Sequence, residues 1–227
     1  MAKSTKLQKP ARKRARILLV DDHPMVRERL REVIEREPDL MVCGEAEDRH
    51  EALDAIETTK PDLVTVDLTL KSSHGLELVK DIHQQHPKLF MLVVSMHDES
   101  LHAERAIRAG AHGYITKQEA TKKILLAIRR VLGGELYLNE KIAGQIVAKL
   151  TNHQTHDSLA QPVDCLADRE LRVFELTGQG LNVRQIASTL HVNVKTVETY
   201  RARIKQKLGI KDAAELLQFA ICWSHNP

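Results

Sequence analysis

Between Ile17 and Gly133, short apolar runs alternate five times with amphipathic stretches, and few folds accept that rhythm. The runs ILLV (17–20), LMVCGEA (40–46), LVTVD (63–67), LFMLVVS (89–95) and GYIT (113–116) read as strands. Helical stretches follow them near 25–36, 49–59, 75–86, 99–109 and 119–133. Such β-then-α units predict an α/β fold: a doubly wound parallel sheet, helices on both faces, joined by right-handed crossovers. After Gly133-Gly134 the strand signals stop. A short helix is expected over 139–150, then TNHQTHDSLAQP reads as a polar linker ending at Pro162. The segment 164–223 has helical periodicity only and predicts a small all-α domain.

Charge divides the chain in the same places. Residues 1–16 carry seven Lys/Arg and no acid, residues 17–138 carry 16 basic and 22 acidic side chains, and residues 139–227 carry 11 and 9. An acidic body followed by a basic segment implies two domains with different partners. The expected division is a basic arm over 1–15, the sheet domain over 16–135, a linker with a short helix over 136–163, and the helical domain over 164–227. The arm reads as inert, and the histidines of HQTH (153–156) and DIHQQHP as solvated or helix-ending groups. No run approaches the roughly 18 apolar residues of a membrane span, and the N-terminus lacks the apolar core of a signal peptide. Three scattered cysteines, Cys43, Cys165 and Cys222, suggest reduced, buried thiols in a cytoplasmic protein.

In parallel α/β sheets chemistry gathers outside the carboxyl ends of the strands. Those ends carry Asp21 and Asp22 after the first strand, Asp67 closing the third, Ser95 after the fourth and Lys117 after the fifth. Three acids packed together repel one another unless a divalent cation neutralises them, and an all-oxygen cluster suits Mg²⁺. Mg²⁺, Lys117 and Ser95 around a carboxylate make a pocket for a phosphoryl group carried on that carboxylate. Taken singly, a strand-terminal Asp is a turn residue and an Asp-Asp pair before a helix is a cap. Five such residues in this order favour a site.

ILLVDDHP, VTVDL followed by Gly75, VVSMH and GYITK together resemble the receiver domain of two-component response regulators. The resemblance implies that Asp67 accepts phosphate from a sensor histidine kinase and that Asp21, Asp22 and Asp67 hold Mg²⁺. It implies that Ser95 and Lys117 contact the phosphoryl group, and that Tyr114 is the aromatic whose packing follows the hydroxyl. The chain departs from the family pattern at Leu70-Lys71, at Gln118 after the lysine, and at Met96. The bulk of Met96 is expected to alter phosphorylation and dephosphorylation rates. Two alternatives stay open. One is a receiver-like module that works without phosphorylation. The other is a Mg²⁺-dependent phosphohydrolase, disfavoured because Thr69 stands where a haloacid-dehalogenase-like enzyme places its second Asp.

The stretch Leu166–Ile210 predicts a helix capped by Asp168, a short helix over 183–190, a tight HVN turn, and a third helix from Val194 capped by Asn193. On the third helix Val197, Tyr200, Ile204 and Leu208 share one face, which is the core face. Opposite lie Lys195, Thr199, Ala202 and Gln206, with Glu198 and Arg203 beside them, and Thr196 counts among the DNA-binding candidates. Lys195, Glu198 and Thr199 can address base edges, Ala202 permits close approach, and Arg201, Arg203, Lys205 and Lys207 can reach phosphates. DRE, IA..L, KTVETY and KLGI resemble the LuxR-type helix-turn-helix, and the two halves in this order resemble NarL/FixJ-type response regulators. That resemblance implies double-stranded DNA as partner, homodimers on DNA, and control by phosphorylation. Leu216, Leu217, Ala220 and Ile221 of the last helix are the candidate dimer contact.

Overall fold

The computed structural model describes residues 14–71, 74–96, 100–140, 142–144 and 162–225. Strands β1 (Ala15–Val20), β2 (Leu40–Ala46), β3 (Leu63–Val66), β4 (Phe90–Ser95) and β5 (Gly113–Thr116) form one parallel sheet in the order β2-β1-β3-β4-β5. Helices α1 (Pro24–Glu35), α2 (Arg49–Thr59), α3 (Gly75–Gln85), α4 (Ser100–Arg108) and α5 (Lys117–Leu132) follow the strands in turn. The pleat sends alternate residues to opposite faces. Ile17 and Leu19 of β1 pack in one layer with Ile34 of α1 and Ile124 and Ile128 of α5. Leu18 and Val20 join Ile56, Val79 and Ile82 in the other layer, with Ala103 and Ala106 of α4. Both faces are covered, so each strand reads as an apolar run rather than an alternation.

The chain leaves β1 for the edge strand β2 and returns to β3, so the order reverses between β1 and β3. That switch point opens a crevice at their carboxyl ends. β1 begins earlier than its apolar run, because Arg16 donates its backbone N–H to Asp62 Oδ2 at 2.8 Å and its guanidinium to Thr59 O. β3 stops at Val66, leaving Asp67 just past its end, and Lys117 opens α5 instead of preceding it.

After a 3-10 turn over Pro162–Cys165 come α6 (Asp168–Gly178), α7 (Val183–Thr189), α8 (Val194–Leu208) and α9 (Ala213–His225). They enclose Phe174, Ile186, Val197, Ile204, Leu216 and Ala220. Asn193 caps α8 as expected, accepting from Thr196 N–H at 2.8 Å, and Gly209 ends it in the left-handed region at φ 68°. The expected cap of α6 is corrected: Ala167 holds that position, and Asp168 turns to partners on α3 and α4. Leu216 and Ala220 are also corrected, since both are fully buried in the domain core; Leu217 and Ile221 remain exposed. The cysteines are unpaired but not buried, for Cys165 and Cys222 are exposed and Cys43 half-buried. The arm through residue 13, HQTH and most of the helix expected over 139–150 lie outside the described residues. No helix among the described residues is long and apolar enough to cross a membrane.

Candidate phosphoryl pocket and nucleic-acid interface

The carboxyl ends of β1 and β3 bring Asp21, Asp22 and Asp67 together with Lys117. Asp21 and Asp67 are buried at 3% exposure each, and Lys117 reaches between them, its Nζ 2.7 Å from Asp21 Oδ2 and 2.8 Å from Asp67 Oδ2. The loop carrying Asp67 is held from both sides. Asp67 N–H donates to Val20 O at 2.9 Å, and Gly75 N–H donates to Leu68 O at 2.9 Å. Only glycine fits at position 75: a Cβ there would stand 2.0 Å from Asp67 O.

Burial raises the Asp67 pKa to about 6, Asp21 pushes it the same way, and Lys117 and the Thr69 N–H oppose them. Burial acts to lower the Lys117 pKa, but Asp67 and Asp21 outweigh it and hold it above the usual lysine value. One ammonium thus faces two buried carboxylates with a third, Asp22, at the rim. Ligand atoms of Asp21, Asp22, His23 and Asp67 lie within 4.8 Å of one another. Asp22 Oδ1 is buried and takes no hydrogen bond from the described residues, although His23 Nδ1 lies 2.6 Å from it. A hard divalent cation suits the three carboxylates of this donor set.

Ser95 and Tyr114 stand on adjoining strands, fully buried. Tyr114 lies in the layer that contains Ala103 and Ala106 of α4. Met96 is 64% exposed, so most of its side chain stands in solvent beside the pocket. Leu70 is buried, while Lys71 reaches Glu47 at 3.5 Å. Two contributors escaped the sequence reading. His23 turns its ring onto the acids, and Arg27, buried on the inner face of α1, binds Asp21 O, Glu45 and Glu47. A cation on an otherwise apolar helix face was the available signal for Arg27.

On α8 the core face is Val197 and Ile204, fully buried, flanked by the half-buried Tyr200 and Leu208. Lys195, Glu198, Thr199, Ala202 and Arg203 are exposed together on the far side, and Arg201 is half-buried. Thr196 is tied into the cap, its hydroxyl 3.0 Å from Asn193 Oδ1. Lys207 turns away from the outer face: its Nζ donates to Glu170 Oε2 at 2.6 Å and to Cys165 O at 3.2 Å. A basic, exposed helix on a helix-turn-helix frame suits a major groove.

The sheet with its acidic crevice and the appended helix-turn-helix define a signal-receiving domain joined to a DNA-reading one. The response regulator receiver domain family matches residues 17–129, and the bacterial regulatory proteins of the luxR family match residues 164–220. The chain is 32% identical over 209 residues to the oxygen regulatory protein NreC of Staphylococcus haemolyticus, covering 91% of this chain and 96% of that one. It is 33% identical over 206 residues to the response regulator GacA of Pseudomonas aeruginosa, covering 91% and 95%. Its fold matches that of Salmonella enterica serovar Typhimurium RcsB bound to promoter P1flhDC with the phosphomimetic BeF3⁻, at a TM-score of 0.64 and 23% identity over 92% and 98% of the two chains. This chain belongs to the response regulators of the NarL/FixJ type, DNA-binding transcriptional regulators with a receiver and a LuxR-type output domain.

Proposed function

We propose that Asp67 is the phosphoacceptor and that its phosphorylation by a sensor histidine kinase controls dimerisation and promoter binding. The observation that carries this is the Lys117 bridge between two buried acids, one of them at the end of β3. An Asp67 oxygen attacks the phosphorus of a phosphohistidine; the P–O bond forms, the P–N bond breaks, and the electron pair returns to the imidazole. Mg²⁺ held by Asp21, Asp22 and Asp67 would neutralise charge on the phosphoryl oxygens. Lys117 gives its ammonium to one of those oxygens and Ser95 its hydroxyl to another, and Tyr114 follows the hydroxyl. Lys195, Glu198, Thr199 and Ala202 address bases, with Arg201 and Arg203 on phosphates; Thr196 and Lys207 serve the cap and the α6 contact. Leu217 and Ile221 form the dimer contact. In this reading the chain acts in the cytoplasm, divides near residues 15, 135 and 163, and turns over no external substrate. Incubation with acetyl phosphate and Mg²⁺ tests it. Wild type should be labelled and Asp67→Asn should not, because the amide keeps the size and loses the nucleophile. Equal labelling of both removes the assignment, and steady release of phosphate from a generic phosphomonoester favours the hydrolase alternative.

A further inference from the structure

His23 stands over the pocket and serves neither the helix it begins nor the hydrophobic core. It holds the N-cap position of α1, where a polar side chain ordinarily accepts a backbone N–H of the first turn. Its side chain makes no such bond, and Pro24 at the start of α1 sets the helix instead. Burial does not explain the ring either, since 62% of the side chain is exposed. The ring turns back over the acids, with Nδ1 2.6 Å from Asp22 Oδ1 and 3.3 Å from Asp21 Oδ1. The shorter contact is not a hydrogen bond, because the buried Asp22 Oδ1 accepts none among the described residues.

The oxygens of the acids are divided between two positions. Asp21 Oδ2 and Asp67 Oδ2 take the Lys117 ammonium at 2.7 and 2.8 Å. Asp21 Oδ1 lies instead with Asp22 Oδ1 and His23 Nδ1, on atoms that Lys117 does not use. Adjacent ligands of a six-coordinate cation with bonds of about 2.1 Å stand about 3 Å apart. The two distances from Nδ1, 2.6 and 3.3 Å, lie on either side of that edge. One ligand atom from each of Asp21, Asp22, His23 and Asp67 falls within 4.8 Å of the others, a span that suits positions around one ion.

We propose that His23 is a nitrogen ligand of the cation at Asp21, Asp22 and Asp67, and that it makes this site prefer Mn²⁺ to Mg²⁺. This role rests on those three carboxylates holding a divalent cation. Oxygen ligands suit both ions, so three carboxylates discriminate little between them. An imidazole separates them. Mg²⁺ demands oxygen and keeps several waters, so a water replaces the nitrogen at little cost. A first-row transition ion bonds the nitrogen more strongly and loses that bond when the ring is removed.

The test is to titrate the full chain with Mg²⁺ and with Mn²⁺ in turn, and to record pulsed electron paramagnetic resonance of the Mn²⁺ form. Wild type should show coupling between Mn²⁺ and a bound nitrogen nucleus, and His23→Ala should abolish it. His23→Ala should weaken Mn²⁺ about tenfold and Mg²⁺ by no more than about twofold. His23→Asn offers α1 a better cap and should show the same loss of preference, which separates the ligand from the helix start. Asp22→Asn should weaken both ions. Nitrogen coupling absent from wild type or kept by His23→Ala overturns the proposal, and so does an equal loss for the two ions. Mn²⁺ that binds Asp22→Asn as it binds wild type sits elsewhere and overturns it too. A wild type that binds neither ion overturns the cation reading itself, and the proposal with it.

Discussion

Asp67 announces itself at the level of single residues because a carboxylate closing an uncharged strand needs a reason, and Lys117 and Asp21 supply it. Gly75 serves the same loop sterically. Gly75→Ala would drive a Cβ into Asp67 O, so it should lower the melting temperature and slow labelling of Asp67 by acetyl phosphate. An unchanged melting temperature and labelling rate would show that the loop relaxes at no cost. His74 was not legible as a sensitive site. It caps α3 by accepting from Leu76 N–H at 3.3 Å, which requires an unprotonated Nδ1. Burial depresses its pKa from 6.5 to about 3, with Glu175 of α6 among the opposing charges. The sign follows from the depression: the stabilisation is complete above about pH 6.5 and is lost as pH falls below it toward 3. Between about pH 7.5 and 5.5 the loss in denaturant unfolding that belongs to His74 should therefore be on the order of 1 kcal/mol, offset in wild type by Asp67, whose raised pKa works the other way. His74→Asn keeps an acceptor for Leu76 and removes the titration, so its loss should be smaller; an equal loss assigns the effect to another group.

Elements were the most legible level, since each helix carries its apolar face in its own sequence and each strand is a short run between turn signals. Where local preference met a long-range partner, the partner won. Asp168 is a good cap by residue type, yet Lys80 and Arg105 take its carboxylate, and Glu170 bonds the Ala167 N–H instead. Lys207 shows the same override on α8. Counted by spacing it belongs with the phosphate-reaching residues, but its ammonium is committed to Glu170. The consequence is measurable on a random-sequence DNA pool at two salt concentrations. Thr199→Ala and Lys195→Ala should change the selected sequence, each base contact contributing about 1–3 kcal/mol. Arg201→Ala should weaken all sequences alike and lower the salt slope by about one unit. Lys207→Ala should leave the slope in place and instead lower the thermal stability of the helical domain. A slope reduced by Lys207→Ala as much as by Arg201→Ala would return that lysine to the DNA.

Contacts between domains were invisible in the sequence, because Glu77 and Arg169 or His102 and Glu175 lie far apart along the chain and each reads alone as a solvated charge. The outer surface of α9 was half legible for a similar reason. Its four apolar candidates split by facing direction: Leu216 and Ala220 point into the core with Phe174 and Val197, while Leu217 and Ile221 are 39% and 38% exposed. Those two are four residues apart and share the outward face. An exposed apolar pair on the last helix suits contact with the same helix of a second copy, where two-fold symmetry sets each pair against its twin. Charge at that face should cost pairing and spare folding. Leu217→Lys with Ile221→Lys should keep the far-ultraviolet spectrum and the affinity for DNA holding one half-site, and lose cooperative binding to DNA holding two. Leu216→Ala should behave oppositely, destabilising the helical domain by about 2–5 kcal/mol through the cavity it leaves. If the double-lysine variant still binds two half-sites cooperatively, the dimer contact lies elsewhere on the molecule and the exposed pair on α9 has another use.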